Sequence, residues 1–275
     1  MTGLPTILAL LDLEYVEENL YRSRALYTAS WGMYGGQAAA QALYAAGLTV
    51  AKDRLPHSLH GYFVRRGDTR KPTLFQVDRD RDGGSFSARR VVAVQDGEVI
   101  FSLSASFAVP VAPVGTVGPA PPDGDDGSRL VADQEVDPAP DFPDRDGLRP
   151  WTHPKHPWFE FRPADPGQRL PSRFWVRCTT ELPDDPLVHA AVLAYTSDMS
   201  TALVGFEGDG RITGPSLDHA VWFHRPARMD GWTWQDLTPR MVSGGRGWYT
   251  GTIHAADGSR VASVAQEQLF TSTRR

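Results

Sequence analysis

Two stretches of this 275-residue chain carry the same run of landmarks at a nearly constant spacing. Gly61-Tyr62-Phe63-Val64-Arg65-Arg66 returns as Val221-Trp222-Phe223-His224-Arg225-Pro226, Gly83-Gly84 as Gly244-Gly245, and Asp96-Gly97 as Asp257-Gly258, so the offset moves only from 160 to 161. Each copy then closes on an alternating strand, Val99 to Phe107 in the first and Arg260 to Gln266 in the second. A solenoid repeats every ~20–50 residues and more than twice, so two copies at this distance point to duplication of a domain-sized unit. The differences between the copies are the places to look for chemistry.

Composition supports two such units. Hydrophobic residues make up 41% and aromatic residues 10% of the chain, enough apolar area for a real core. No apolar run reaches the ~18 residues of a membrane span. Met1 to Leu13 lacks the basic region of a signal peptide, so a cytoplasmic chain with no membrane partner is expected. A net charge of -5 argues against nucleic acid as a partner. The single Cys178 excludes an intramolecular disulfide, and without paired Cys or His spacing no metal is expected. Within the strand-like run Phe174 to Thr179, Cys178 reads as a packing residue.

Nine of the 22 prolines fall between Pro110 and Pro150, alongside the run Asp123-Gly124-Asp125-Asp126-Gly127. Such composition cannot bury a core and reads as an extended connection. The expected organisation is an N-terminal unit over 1–110, a linker over 111–149 and a C-terminal unit over 150–275. In the first unit the alanine-rich segment Gly35 to Gly47, bounded by glycines, predicts a tightly packed helix. Strand-like runs follow at His57 to Arg65, Thr73 to Arg79, Ser85 to Gln95 and Val99 to Val109. In the second unit a helix is expected from Leu187 to about Leu203, followed by strands near Leu217–Arg225, Trp232–Thr238, Gly247–His254 and Val261–Phe270. One helix followed by an antiparallel meander is an α+β unit whose sheet must wrap the helix.

Several motifs in this order carry a family resemblance: Gly35-Gly36-Gln37 opening the first helix, His60 to Asp68, Arg81 to Arg90, and Leu217 to Pro226. Together they resemble the type II acyl-CoA thioesterases, built as a double hotdog of two tandem units, each with a long helix wrapped by an antiparallel sheet. The resemblance runs from about Gly32 to Phe270. It implies hydrolysis of an acyl-CoA to free acid and coenzyme A by an activated water, with no cofactor. It also implies a catalytic set in the second half: the carboxylate of Asp198, the hydroxyl of Ser216 two residues before Asp218-His219, and the amide of Gln266 in the last strand. The family usually has Thr at the middle position, so Ser216 keeps the hydroxyl but loses the methyl that restrains its rotamer. Gly35, Gly36 and Gln37 are the expected substrate-binding positions, the two glycines through backbone N–H groups at a helix start.

The residue types agree with that chemistry. Thioester hydrolysis needs an oriented water, a proton acceptor and donors for the oxyanion, which Asp, a hydroxyl and an amide can supply together. No Gly-x-Ser-x-Gly elbow is present for a serine nucleophile. At the 161-residue offset Gln266 faces Ala105 and Ser216 faces Leu55, so a single active site per chain is expected. Three His residues, His60, His219 and His224, lie in strands beside aromatic residues and read as structural. Arg65 and Arg225, at equivalent places, read as a shared structural ion pair. Two alternatives stand beside hydrolysis. Asp184-Asp185-Pro186-Leu187-Val188-His189 distantly resembles the Asp and His pair of hotdog enoyl-CoA hydratases, with the His one residue late; a helix cap is the plainer reading. A noncatalytic module that binds an acyl thioester or acyl carrier would need only an apolar cavity. Further association into a homo-oligomer is left open by the sequence.

Overall fold

The computed structural model describes residues 5–29, 32–110, 151–153, 155–164, 172–199, 202–203 and 211–272. The linker expected over 111–149 lies outside the described residues. An N-terminal arm of α1 (Ile7–Leu11), β1 (Leu13–Glu17) and β2 (Leu20–Ser23) leads to α2 (Gly35–Gly47). Four strands follow: β3 (Leu55–Phe63), β4 (Leu74–Asp82), β5 (Phe86–Gln95) and β6 (Glu98–Ala108). Then come β7 (Trp151–His153), β8 (His156–Pro163), β9 (Arg173–Cys178), α3 (Pro186–Ser197) and β10 (Arg211–Ser216). The last four strands are β11 (Asp218–Phe223), β12 (Thr233–Ser243), β13 (Arg246–Ala255) and β14 (Arg260–Ser272).

These strands form one sheet in the order β1-β2-β4-β5-β6-β3-β11-β14-β13-β12-β9-β8-β7, with β10 also on β14. Read inward from each side, β4-β5-β6-β3 and β12-β13-β14-β11 have the same order. They meet where β3 and β11 pair antiparallel, with Leu59 opposite Val221 and His60 opposite Ala220. The repeated motif Gly61 to Arg66 and its echo thus begin on the two strands that join the halves and run past their ends. Period-two patterning fixes which face is buried: along β5, Ser87, Arg89, Val91, Ala93 and Gln95 turn inward. The buried guanidinium of Arg89 is neutralised by Asp82 at 2.7 Å and bonded to Thr49, so its inward position is satisfied.

Helix α2 is buried on nearly every side because most of its residues are Ala or Gly. Its two inward glutamines are satisfied: Tyr27 Oη donates to Gln37 Oε1, and Gln41 Nε2 donates to Leu10 O at 2.7 Å, tying the helix to α1. Helix α3 starts at Pro186, with the Asp185 carboxylate accepting from Leu187 N at 2.9 Å. The helices run antiparallel against each other at close range. A methyl group placed on Gly36 would lie 2.3 Å from Tyr195 O, and one on Gly47 would lie 2.3 Å from Leu187 Cδ1. No helix among the described residues is long and apolar enough to cross a membrane.

The structure departs from the sequence expectation in two respects. Helix α3 ends at Ser197 rather than near Leu203, because Asp198 leaves helical geometry at φ -86° and ψ 13° and turns its side chain into the sheet. Strands β1, β2, β7, β8 and β10 were not anticipated. Gly214-Pro215 within β10 reads as a turn in sequence, yet a register shift between Thr213 and Ser216 lets the strand keep its pairing with β14 around the proline.

Candidate active site

Three separate elements deliver one polar cluster. Asp198 is the C-cap of α3, Ser216 ends β10, and Gln266 lies in the middle of β14 on the inward face with Ala262 and Val264. Ser216 Oγ donates to Asp198 Oδ1 at 3.0 Å, and Gln266 Nε2 donates to the same oxygen at 2.8 Å. Gln266 Nε2 also donates to Ser216 Oγ. Asp198 and Gln266 are only 3% and 1% exposed, so the carboxylate depends on protein donors rather than solvent. Ser216 is half-buried and forms the side of the cluster nearest solvent.

The first half of the chain contributes the opposite wall. A methyl group on Gly35 would sit 2.5 Å from Asp198 Oδ2 and 2.7 Å from the Phe63 ring, so only glycine lets the start of α2 approach the carboxylate this closely. Gly35 and Gly36 open the helix ahead of its first backbone hydrogen bonds, so the positive end of the helix dipole lies beside Asp198. Tyr34, the N-cap of α2, donates from its hydroxyl to Tyr195 O at 3.0 Å. Burial, followed by the neighbouring Asp198 charge, raises its phenol well above the ordinary value. Gln37, expected among the substrate-binding positions, is not brought to the cluster: its side chain is bonded to Tyr27 and Gln41, and its N–H bonds Tyr34 O at 3.1 Å.

A second layer lies behind Gln266. His219 is 1% exposed, and Ser197 Oγ is 2.7 Å from its Nε2. Burial holds its pKa down at about 4, so the ring is neutral near pH 7. Sequence reasoning gave His219 no part in the site. The available signal was its inward place on β11, beside the Ser216 and Asp218 motif. Asp218 itself faces the other way, its Oδ1 accepting from Glu267 N at 2.7 Å. The residues of the hydratase-like motif are committed elsewhere. Asp185 caps α3, Asp184 pairs with Arg228 at 2.8 Å, and His189 Nδ1 accepts from Met229 N at 3.2 Å. His224 bonds Ser263, and His60 packs edge-on against Trp222. Arg65 pairs with Glu98 at 2.7 Å and donates to Val99 O, and Arg225 donates to Arg260 O, the equivalent carbonyl of the second copy. Buried Cys178 has its thiol pKa raised by desolvation, which disfavours the thiolate.

Comparison with known proteins gives a consistent result. Residues 26–108 match the acyl-CoA thioesterase N-terminal domain, and residues 131–270 match the acyl-CoA thioesterase C-terminal domain. The chain is 34% identical to human acyl-coenzyme A thioesterase 8 over 96% of its own length and 88% of the relative's. It is 32% identical to acyl-CoA thioesterase 2 of Haemophilus influenzae, covering 97% of each chain. The crystal structure of an acyl-CoA thioesterase II, TesB2, from Mycobacterium marinum superposes with a TM-score of 0.76 at 36% identity, covering 97% of this chain and 98% of the other. A structure from Alicyclobacillus acidocaldarius described as having a hot dog fold, 17% identical with a TM-score of 0.74, shares the fold. The chain belongs to the acyl-CoA thioesterase family.

Proposed function

We propose that the protein hydrolyses acyl-CoA thioesters to a free acid and coenzyme A, using Asp198, Ser216 and Gln266 to hold and activate one water. The observation that carries this reading is the convergence of Ser216 and Gln266 on a single carboxylate oxygen of a buried Asp198. A water in this cluster gives a proton to Asp198 as its oxygen bonds to the thioester carbonyl carbon. The tetrahedral intermediate then expels the thiolate by breaking the C–S bond, and the proton held on Asp198 passes to sulfur. The amides of Gly35 and Gly36 face the developing oxyanion, a role suited to the positive end of α2. The chain is read as a double hotdog, with units over 1–110 and 150–275 and a linker over 111–149. The repeated strand order on either side of β3 and β11 supports that division.

Asp198→Asn tests the reading. The amide keeps the size of the side chain but cannot take a proton, so thiol release from acyl-CoA should fall by at least ~10²-fold with substrate binding retained. Turnover equal to that of the unaltered protein would instead favour a noncatalytic acyl-binding role. Running the assay across short, medium, long and branched acyl-CoAs also defines the chain preference.

A further inference from the structure

The hydrolase reading leaves open what fixes the direction of the Gln266 amide, and the inference below rests on that reading. A primary amide has nearly the same shape when turned by 180°, so packing alone does not decide which end faces Asp198. Turned the wrong way, its carbonyl oxygen would meet a buried carboxylate, and the donors to Asp198 Oδ1 and Ser216 Oγ would be lost. A specific partner at the far end of the amide is needed to choose.

His219 occupies that place. It lies one residue beyond the Ala220–Ala265 pair of β11 and β14, opposite Gln266. Ser197 Oγ has two acceptors in reach, Ala194 O at 3.0 Å and His219 Nε2 at 2.7 Å. With the hydroxyl proton turned to the ring, Nε2 accepts and the N–H of the neutral imidazole sits on Nδ1. Nδ1 is buried and makes no hydrogen bond among the described residues, which leaves it unmatched on the inward face that His219 shares with Gln266 across the two strands. The nearby Gln266 amide acts on the ring against burial, toward the protonated form, the direction expected of an amide oxygen facing an imidazole N–H. We propose that His219 is a positioning residue, donating from Nδ1 to the carbonyl oxygen of Gln266 and thereby holding the amide nitrogen toward Asp198 and Ser216. Ser197 braces the ring in the required tautomer.

The test is steady-state hydrolysis of an acyl-CoA by the full chain and by His219→Leu, His219→Asn, Gln266→Ala and the Leu/Ala double variant. His219→Leu should lower kcat about 10-fold with KM within about twofold, the pattern of a lost transition-state interaction. His219→Asn, whose amide N–H stands near the Nδ1 position, should retain most of the rate. The double variant should be no slower than Gln266→Ala alone, because His219 acts only through Gln266. Multiplying losses in the double variant would overturn the proposal. If His219→Leu does not fold, His219→Asn should still outperform His219→Gln, whose amide reaches the Nε2 position instead; the reverse order overturns it. Full turnover in His219→Leu with loss in Gln266→Ala would sink the positioning role alone. Full turnover in Gln266→Ala would remove the catalytic reading beneath it.

Discussion

Gly35 and Ser216 show how narrow the tolerances around Asp198 are. The site needs a close approach from a helix start, and any side chain at position 35 takes that space: Gly35→Ala sets a methyl 2.5 Å from Asp198 Oδ2. The carboxylate must move or the helix must retreat, and displacements of about 1 Å at a reacting group cost on the order of 10²-fold in rate. Gly35→Ala is therefore expected to lose about that much kcat while melting near the temperature of the unaltered protein. Ser216 contributes through its hydroxyl, so Ser216→Ala should lower kcat/KM about 10-fold, the worth of one hydrogen bond of ~1.4 kcal/mol. Ser216→Thr should match or exceed the starting rate, since the added methyl restricts the rotamer that meets Asp198. A slower Thr variant would mean that the pocket has no room for the methyl. These residue types were legible in sequence only through the resemblance. Without it, an Asp after Tyr-Thr-Ser near a helix end reads as a cap, and that is also its place in the fold: Asp198 is the C-cap of α3.

At the level of elements, the contact between α2 and α3 decides whether the two halves of the site meet. Two glycines permit it, and they differ in what they touch. At Gly36 an added Cβ would lie 2.3 Å from the backbone oxygen of Tyr195, which cannot step aside. At Gly47 it would meet only the end of the Leu187 side chain, which can change rotamer. Replacing a helical Gly by Ala gains ~1 kcal/mol from propensity, whereas overpacking costs ~1–3 kcal/mol. Gly36→Ala should thus be clearly destabilised in urea titrations, and Gly47→Ala close to neutral. Equal destabilisation of both would show that α3 is as rigid at Leu187 as at Tyr195. Helix α2 and the eight main strands could be read from patterning because period two and alanine content are local properties. The edge strands β1 and β7 and the neighbouring β2 are short, and β10 contains a proline, so their pairing depends on distant partners that sequence pattern does not encode.

Across the whole molecule, buried neutral histidines link folding to pH. His219 has its pKa lowered by burial to about 4 from the ordinary 6.5. Below pH ~6.5 the unfolded chain takes up a proton that the folded chain refuses until about pH 4, so stability falls as pH drops through that window. This one group accounts for on the order of 3 kcal/mol at most. His57, His189 and His224, also lowered chiefly by burial, act in the same direction. Unfolding free energy measured from pH 7 to pH 4 should decline, and His219→Asn should decline less steeply. Identical slopes would mean that His219 is accessible to protons in the folded state.

The repeated landmarks, the order of a helix followed by strands on either side of the linker and the polar character of Asp198, Ser216 and Gln266 could be read from sequence alone, because repeats, periodicity and residue chemistry are written locally. What local sequence could not fix is that Ser216 and Gln266 converge on one oxygen of Asp198, that Gly35 of the other half presses against the same carboxylate, and that Gln37 turns away from it. The cluster draws on α3, β10 and β14, and Ser216 and Gln266 are 50 residues apart in the chain. Their meeting is set by strand register and by a helix–helix approach possible only at glycine, and neither is a property of any short stretch of sequence.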